Sequence, residues 1–242
     1  MFRRLLSLIA GLAATCAGAA DLGVMPVRVE LSARQDRQAI TVSNRGAEPV
    51  LIQAETVSWV QTDGEDQYTP TRELLVNPPL FTIPSGGSQI VRVGLRRPVD
   101  AERELSYRIF LREVPGAPPS ATGDKGQQIR VLLELRLPVY VAPARPQPAQ
   151  RWRASRSADG GIELELANTG NAHVVVGGLR LLAPGALPGA APLAEMKGGG
   201  SVLAGQRRVW HLAPPAPDGR FFVLEVRGEN GSQHVALDLE GS

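Results

Sequence analysis

Apolar and polar residues alternate along this chain with the two-residue period of β-strands. No stretch settles into helical spacing for more than about two turns. Residues 23–32 read as a first strand, with Val27, Val29 and Leu31 on one side and Arg28 and Glu30 on the other. Residues 38–44 follow, with Ile40 and Val42 as core candidates, and residues 50–60 set Leu51, Gln53 and Glu55 against Ile52, Ala54 and Thr56. Residues 80–83, 89–95, 105–114 and 129–141 complete a first set of about seven strands. Asn44-Arg45-Gly46 and Asp63-Gly64 are turn signals between them. The run 129–141 is the most informative. Ile129, Val131, Leu133 and Leu135 share one face, and Arg130, Leu132, Glu134 and Arg136 share the other. The last strand of an open sandwich usually lies at a sheet edge, where apolar residues invite pairing with another chain.

A Pro/Gly/Ser/Ala-rich loop is expected over residues 115–128, and the seven residues 143–149 contain three prolines, which makes a stiff linker. A second strand set follows at 151–155, 162–168, 173–182, 201–212, 221–227 and 233–239. Asp159-Gly160 and Asn230-Gly231 mark tight turns, and the Gly198-Gly199-Gly200 run falls between strands. The chain therefore reads as all-β, with one sandwich over residues 21–142 and another over 150–242.

Residues 1–20 carry the pattern of a secretory signal: Arg3 and Arg4, an apolar stretch from Leu5 to Ala14, then small residues up to Ala20. Cys16 lacks the preceding residues of a lipoprotein signal, so ordinary cleavage near Ala19 or Ala20 is expected. The stretch is also too short for a good membrane span. Without residues 1–20 the chain has no cysteine, hence no disulfide framework, and 24 Lys+Arg balance 24 Asp+Glu. That balance speaks against nucleic acid as a partner.

Catalytic and metal chemistry find little support. His173, His211 and His234 are scattered, and Asp63, Glu65 and Asp66 lack calcium-loop spacing and read as a solvated loop. No glycine cluster ends in Lys-Ser/Thr, and Ser32, Ser43 and Ser58 have no glycine elbow. No enzyme activity and no cofactor are expected. Arg28, Arg108 and Arg136 stand out as strand arginines flanked by apolar neighbours. Each reads equally well as a solvent-facing residue or as part of a carboxylate-binding group near the domain junction, since the guanidinium fork matches two carboxylate oxygens.

Several strings together resemble the periplasmic chaperones of the chaperone–usher pathway. They include Val27-Arg28-Val29, Thr41-Val42-Ser43-Asn44, Asn77-Pro78-Pro79-Leu80-Phe81 and residues 84–92. Ser106-Tyr107-Arg108-Ile109-Phe110-Leu111-Arg112-Glu113-Val114-Pro115 is the most distinctive. Arg136-Leu137-Pro138-Val139-Tyr140-Val141-Ala142-Pro143, residues 168–173 and Val202-Leu203-Ala204-Gly205 also match. The Leu-Pro-Val-Tyr-Val form is similar to the spore-coat-type, or archaic, branch. The resemblance implies two immunoglobulin-like domains in an L-shaped arrangement, a periplasmic location, and pilus or fimbrial subunits and an outer-membrane usher as partners, with no membrane insertion. It also implies that Ile129, Val131, Leu133 and Leu135 are lent to a subunit that lacks its last strand, a form of strand addition for which pilus proteins are an established example. Four such side chains contribute about 6–12 kcal/mol gross. Arg28 matches the family's anchor for the subunit's C-terminal carboxylate. Relatives often have a lysine where this chain has Pro138, so Arg136 and Arg108 compete as second anchor, and Ala142 replaces an arginine used between domains, so that bridge is absent or built differently. The competing reading is an exported adhesion or carbohydrate-binding sandwich, which a fold alone does not exclude.

Overall fold

Where the alternation predicts one first strand, Pro26 interrupts it, and the two pieces join different sheets. The computed structural model describes residues 21–97, 101–116, 131–187, 189–213 and 219–240. β1 (Leu22–Met25) pairs antiparallel with β3 (Arg37–Asn44), which continues to β8 (Ser88–Leu95) and β6 (Leu74–Asn77). β2 (Val29–Leu31) lies in the facing sheet, parallel to β10 (Glu134–Val141). That sheet continues through β9 (Leu105–Glu113) and β4 (Val50–Thr62) to β5 (Glu65–Pro70), with β7 (Leu80–Ile83) also on β4. Val29 and Leu31 are buried as expected, but Val27 is 70% exposed, because it falls in the unpaired bend between the two pieces.

Alternation in these strands fills one core. Ile40 and Val42, Ile52 and Ala54, Val91 and Val93, Ile109 and Leu111, and Leu137, Val139 and Val141 all point between the two sheets. Two strands were not foreseen. β5 and β6 are short and polar or isolated in pattern, and Glu65 and Asp66 belong to β5 rather than to a loop. Asp63 and Gly64 form the expected β4–β5 turn, with φ of 53° and 83°, the left-handed conformation a two-residue hairpin requires.

The second strand set forms one seven-stranded sheet folded on itself, in the order β14-β13-β16-β17-β11-β12-β15. Its members are β11 (Gln150–Arg156), β12 (Ile162–Asn168), β13 (Val174–Leu182), β14 (Ala194–Val202), β15 (Arg207–Leu212), β16 (Phe221–Gly228) and β17 (Gly231–Glu240). Leu164, Leu166, Leu179, Leu224 and Trp210 lie in its core. Here two expectations fail. The glycine run lies inside β14, with Gly200 opposite Val176, and residues 201–212 form two strands. The chain reverses between them at Gly205 (φ 73°), where the Gln206 N–H donates to the Leu203 carbonyl at 3.0 Å. The molecule is thus all-β: two immunoglobulin-like sandwiches, with no helix among the described residues.

Both sandwiches use the same internal plug. Asn44 is buried, and its Nδ2 donates to the carbonyls of Glu48 (2.7 Å), Ile83 (3.2 Å) and Pro84 (3.2 Å), while its Oδ1 accepts from Gly46 N–H at 2.9 Å. Asn168 repeats this on Ala172 (2.8 Å), Val202 (3.0 Å), Leu203 (3.1 Å) and Gly170 N–H (3.1 Å). Each side chain satisfies backbone groups that would otherwise be buried without partners. Asn44→Ala and Asn168→Ala should each lower unfolding free energy by about 2–4 kcal/mol. Urea titration checks this; a loss below about 0.5 kcal/mol would mean water replaces the amide.

Candidate functional site

Alternation that sends Leu135, Leu137, Val139 and Val141 into the core sends Glu134, Arg136, Pro138 and Tyr140 to the outer face of the β2-β10-β9-β4-β5 sheet. Register places Arg108, Phe110 and Arg112 of β9 beside them, then Glu55 and Trp59 of β4, then Asp66 and Tyr68 of β5. Phe110 is buried although it faces outward, because charged neighbours cover it. The Arg112 guanidinium lies 4.7 Å from its ring centre and that of Arg136 5.2 Å, while Tyr68 meets it edge-on at 5.3 Å. Glu134 ties these cations together, accepting from Arg112 Nε at 2.5 Å and Arg136 Nε at 2.6 Å, and Arg112 also pairs with Glu55. Arg112, and then Arg136, hold the Glu134 carboxyl below its ordinary range.

Arg108 has a different setting on the same face. Its guanidinium stacks 3.8 Å from the Trp59 ring centre and pairs at 3.8 Å with Asp66; its buried Nε has no hydrogen-bond partner among the described residues. Burial pushes the Asp66 carboxyl up, but hydrogen bonds led by Gln61 outweigh it and hold the group below its ordinary value.

Arg28 lies in the bend before β2. It lines an open cleft of about 830 Å³ with Glu30, Pro138 and Tyr140 from the first sandwich and Ser201 and Glu229 from the second. Arg28 Nη2 donates to Glu30 at 2.8 Å, and Nη1 pairs with Glu229. Neither Arg108 nor Arg136 lines this cleft, although Arg108 and Arg28 both act electrostatically on the Tyr140 phenol. Burial pushes that phenol up to about 12, against the pull of its hydrogen bond with Ser201.

The sandwiches meet around Tyr140. Trp59, Tyr140 and Leu203 form a small buried cluster, and Tyr140 Oη lies 2.9 Å from Ser201 Oγ. Gln61 donates to the Ser201 carbonyl at 2.9 Å and accepts from Leu203 N–H at 2.9 Å, which satisfies a buried amide across the junction. His173 stacks on Tyr140 with ring centres 3.6 Å apart, and its Nδ1 lies 2.8 Å from the buried carboxylate of Glu104. The bridge between the sandwiches is built from Gln61, Tyr140 and Glu104. Gln61, Glu104, Ser201 and Glu229 carried no sequence signal; Tyr140 was visible only as part of a longer string, and His173 as part of one and as a scattered histidine.

The proposed donor residues divide. Ile129 lies outside the described residues. Val131 is 71% exposed, Leu133 is half-buried, and Leu135 is half-buried against the first core. Among the described residues the strand starts at Glu134, with 131–133 outside it, because β9, its pairing partner, ends at Glu113. Leu133 is still tethered, its carbonyl accepting from Glu113 N–H at 2.9 Å. β2 covers β10 only from Val139 to Val141, so among the described residues Glu134 to Pro138 have a partner on one flank alone. Pro138 fits there: ladder bonds to β9 fall on the odd-numbered residues, so its missing N–H would have faced the open flank.

Elsewhere, Ser157, His211 and Asp159 cluster at an exposed turn. Ser157 Oγ and Asp159 Oδ1 both engage the same imidazole nitrogen at 3.1 Å, unlike a nucleophile–base–acid chain, which uses opposite nitrogens. No group of three His, Cys, Asp or Glu side chains among the described residues is placed to hold a metal.

The family model described as pili and flagellar-assembly chaperone, PapD N-terminal domain, matches residues 21–147. No curated protein sequence matches the chain. The fold is similar to several solved structures. One is the CsuC–CsuE chaperone–tip adhesion subunit pre-assembly complex from archaic chaperone–usher Csu pili of Acinetobacter baumannii (TM-score 0.64, 17% identity, 91% of this chain and 100% of that one). Others are the Salmonella enterica SafA pilin in complex with the SafB chaperone (0.60, 17%, 90% and 96%) and the E. coli chaperone DraB (0.59, 17%, 92% and 98%).

Glu134 offers a direct check on the arginine ladder. Its lowered value means that its contribution is complete above the ordinary glutamate range of about 4.3 and is lost as pH falls through the depressed folded value. Arg112→Gln should raise the Glu134 midpoint in a carboxyl NMR titration. An unchanged midpoint would show that Arg112 does not hold it.

Proposed function

The chain belongs to the family of pili and flagellar-assembly chaperones, and from that premise we propose that it is a periplasmic chaperone that lends strand residues to pilus subunits and passes them to an outer-membrane usher. The observation that carries this reading is the half-open β10, with the exposed Val131 and tethered Leu133 just before it. A strand bonded on one flank offers unpaired N–H and C=O groups to a second chain. Ile129, Val131, Leu133 and Leu135 have the parity of the core-facing residues of β10. Toward residue 131 their own sandwich ceases to cover them, so an incomplete guest core would receive them. Arg28 is the carboxylate anchor in this reading, since it is the cation of the cleft beside Pro138 and Tyr140. Arg108 and Arg136 stand on the adjoining sheet face as second cations. Arg108 is the better placed of the two, as it stands opposite Pro138, which lines the cleft.

The archaic branch is the assignment within the family that the Leu137-Pro138-Val139-Tyr140-Val141 string and the Csu likeness favour. Periplasmic residence rests on the signal-like residues 1–20, which lie outside the described residues. A carbohydrate-binding reading gains nothing from the tryptophans, since Trp59, Trp152 and Trp210 are all buried.

Co-expression with a pilus subunit tests the proposal. Leu133→Glu should abolish recovery of soluble complex while leaving the chaperone folded, because Leu133 is only half-buried in it; undiminished complex would defeat the donor assignment. Arg28→Ala should weaken the complex by about 2–5 kcal/mol, as loss of a buried charge partner does. Equal affinity in calorimetry would remove Arg28 from the site.

A further inference from the structure

Arg28 is already occupied. Its guanidinium holds Glu30 from the next strand and Glu229 from the second sandwich, and among the described residues no other one lining the cleft carries a formal charge. One cation facing two carboxylates leaves the cleft with an excess of one negative charge, which opposes an incoming carboxylate. Glu30 is fixed close to Arg28 through the backbone, since it lies two residues further on in β2 and its N–H is held by Gln38 Oε1 at 2.9 Å. Glu229 is different. It stands at the tip of the β16–β17 hairpin, between Gly228 and Gly231, and Arg28 is its sole ion-pair partner among the described residues.

We propose that Glu229 is a built-in competitor for the carboxylate site: its side chain occupies Arg28 until a guest carboxylate displaces it. This rests on the reading of Arg28 as the carboxylate anchor, and it adds the group that must move. Exchanging one carboxylate for another on the same guanidinium leaves little net Coulomb gain. A free carboxylate alone is therefore a poor ligand, and only a chain that also pairs with the open flank of β10 outcompetes Glu229. The contact thus acts as a filter against small anions and unrelated chain ends, which is discrimination by a disfavoured alternative rather than by a new attraction. Because Glu229 belongs to the second sandwich and Arg28 to the first, the exchange also removes one tie between them.

The test uses an acetylated peptide of alternating threonine and valine ending in a free carboxylate, and the same peptide as its C-terminal amide. Both are titrated into the full-length protein and its Glu229→Gln variant. Glu229→Gln should bind the acid peptide about three- to fivefold more tightly than the parent protein does. The amide should bind both alike, the gain should vanish in an Arg28→Ala background, and it should shrink in 1 M salt. Glu229→Ser, which keeps the turn polar, should show the same gain. If both proteins prefer acid to amide to the same degree, Glu229 is no competitor, although Arg28 remains an anchor. If neither prefers the acid, or neither peptide binds, the anchor reading fails and the competitor falls with it.

Discussion

Backbone N–H and C=O groups need partners, and along the first half of β10 the described residues supply them on one flank only. The rest of the molecule is arranged around that asymmetry. β9 fixes the strand in its sheet, β2 closes its second half, and the core takes Leu137, Val139 and Val141 but only part of Leu135. An edge of this kind is normally blunted by charge or proline, and here Glu134, Arg136 and Pro138 line it without covering it.

The cleft exists because two sandwiches meet at the covered end of the same strand. Tyr140, one residue from the end of β10, packs against Trp59, Leu203 and His173 at once. Gln61 and Glu104 satisfy backbone and ring groups of the second sandwich, so the junction carries buried polar bonds as well as apolar contact. Such a junction is specific in geometry, because each buried group left unpaired would cost more than an exposed one. Arg28 is placed at its rim by the bend at residues 26–28, where the chain crosses from one sheet to the other.

Period-two alternation made most strands legible, since a half-buried strand writes its inner face into the sequence. It failed where that premise fails. β5 has no core face to record, with Tyr68 its one residue that is not exposed. In β14 the glycines have no side chains to alternate. The single strand read at 23–32 hid a change of sheet at Pro26, which a pattern of side chains cannot reveal. At the candidate site, Arg28, Arg108 and Arg136 were visible as isolated cations, but their surroundings were not. That Arg136 belongs to a ladder with Glu134 and Arg112, and Arg28 to a cleft with Glu229, depends on cross-strand register and on contact between residues about 200 positions apart. Glu229 alone carries no mark of its role.

Pro138 also sets a phase. Any strand laid along the open flank finds no amide hydrogen at that position, so one of its carbonyls must look elsewhere for a donor. Sliding such a strand by two residues keeps its side chains on the same faces but moves a different carbonyl onto the gap. The missing hydrogen therefore works as an index notch: it distinguishes alignments that hydrophobic patterning alone would leave equivalent.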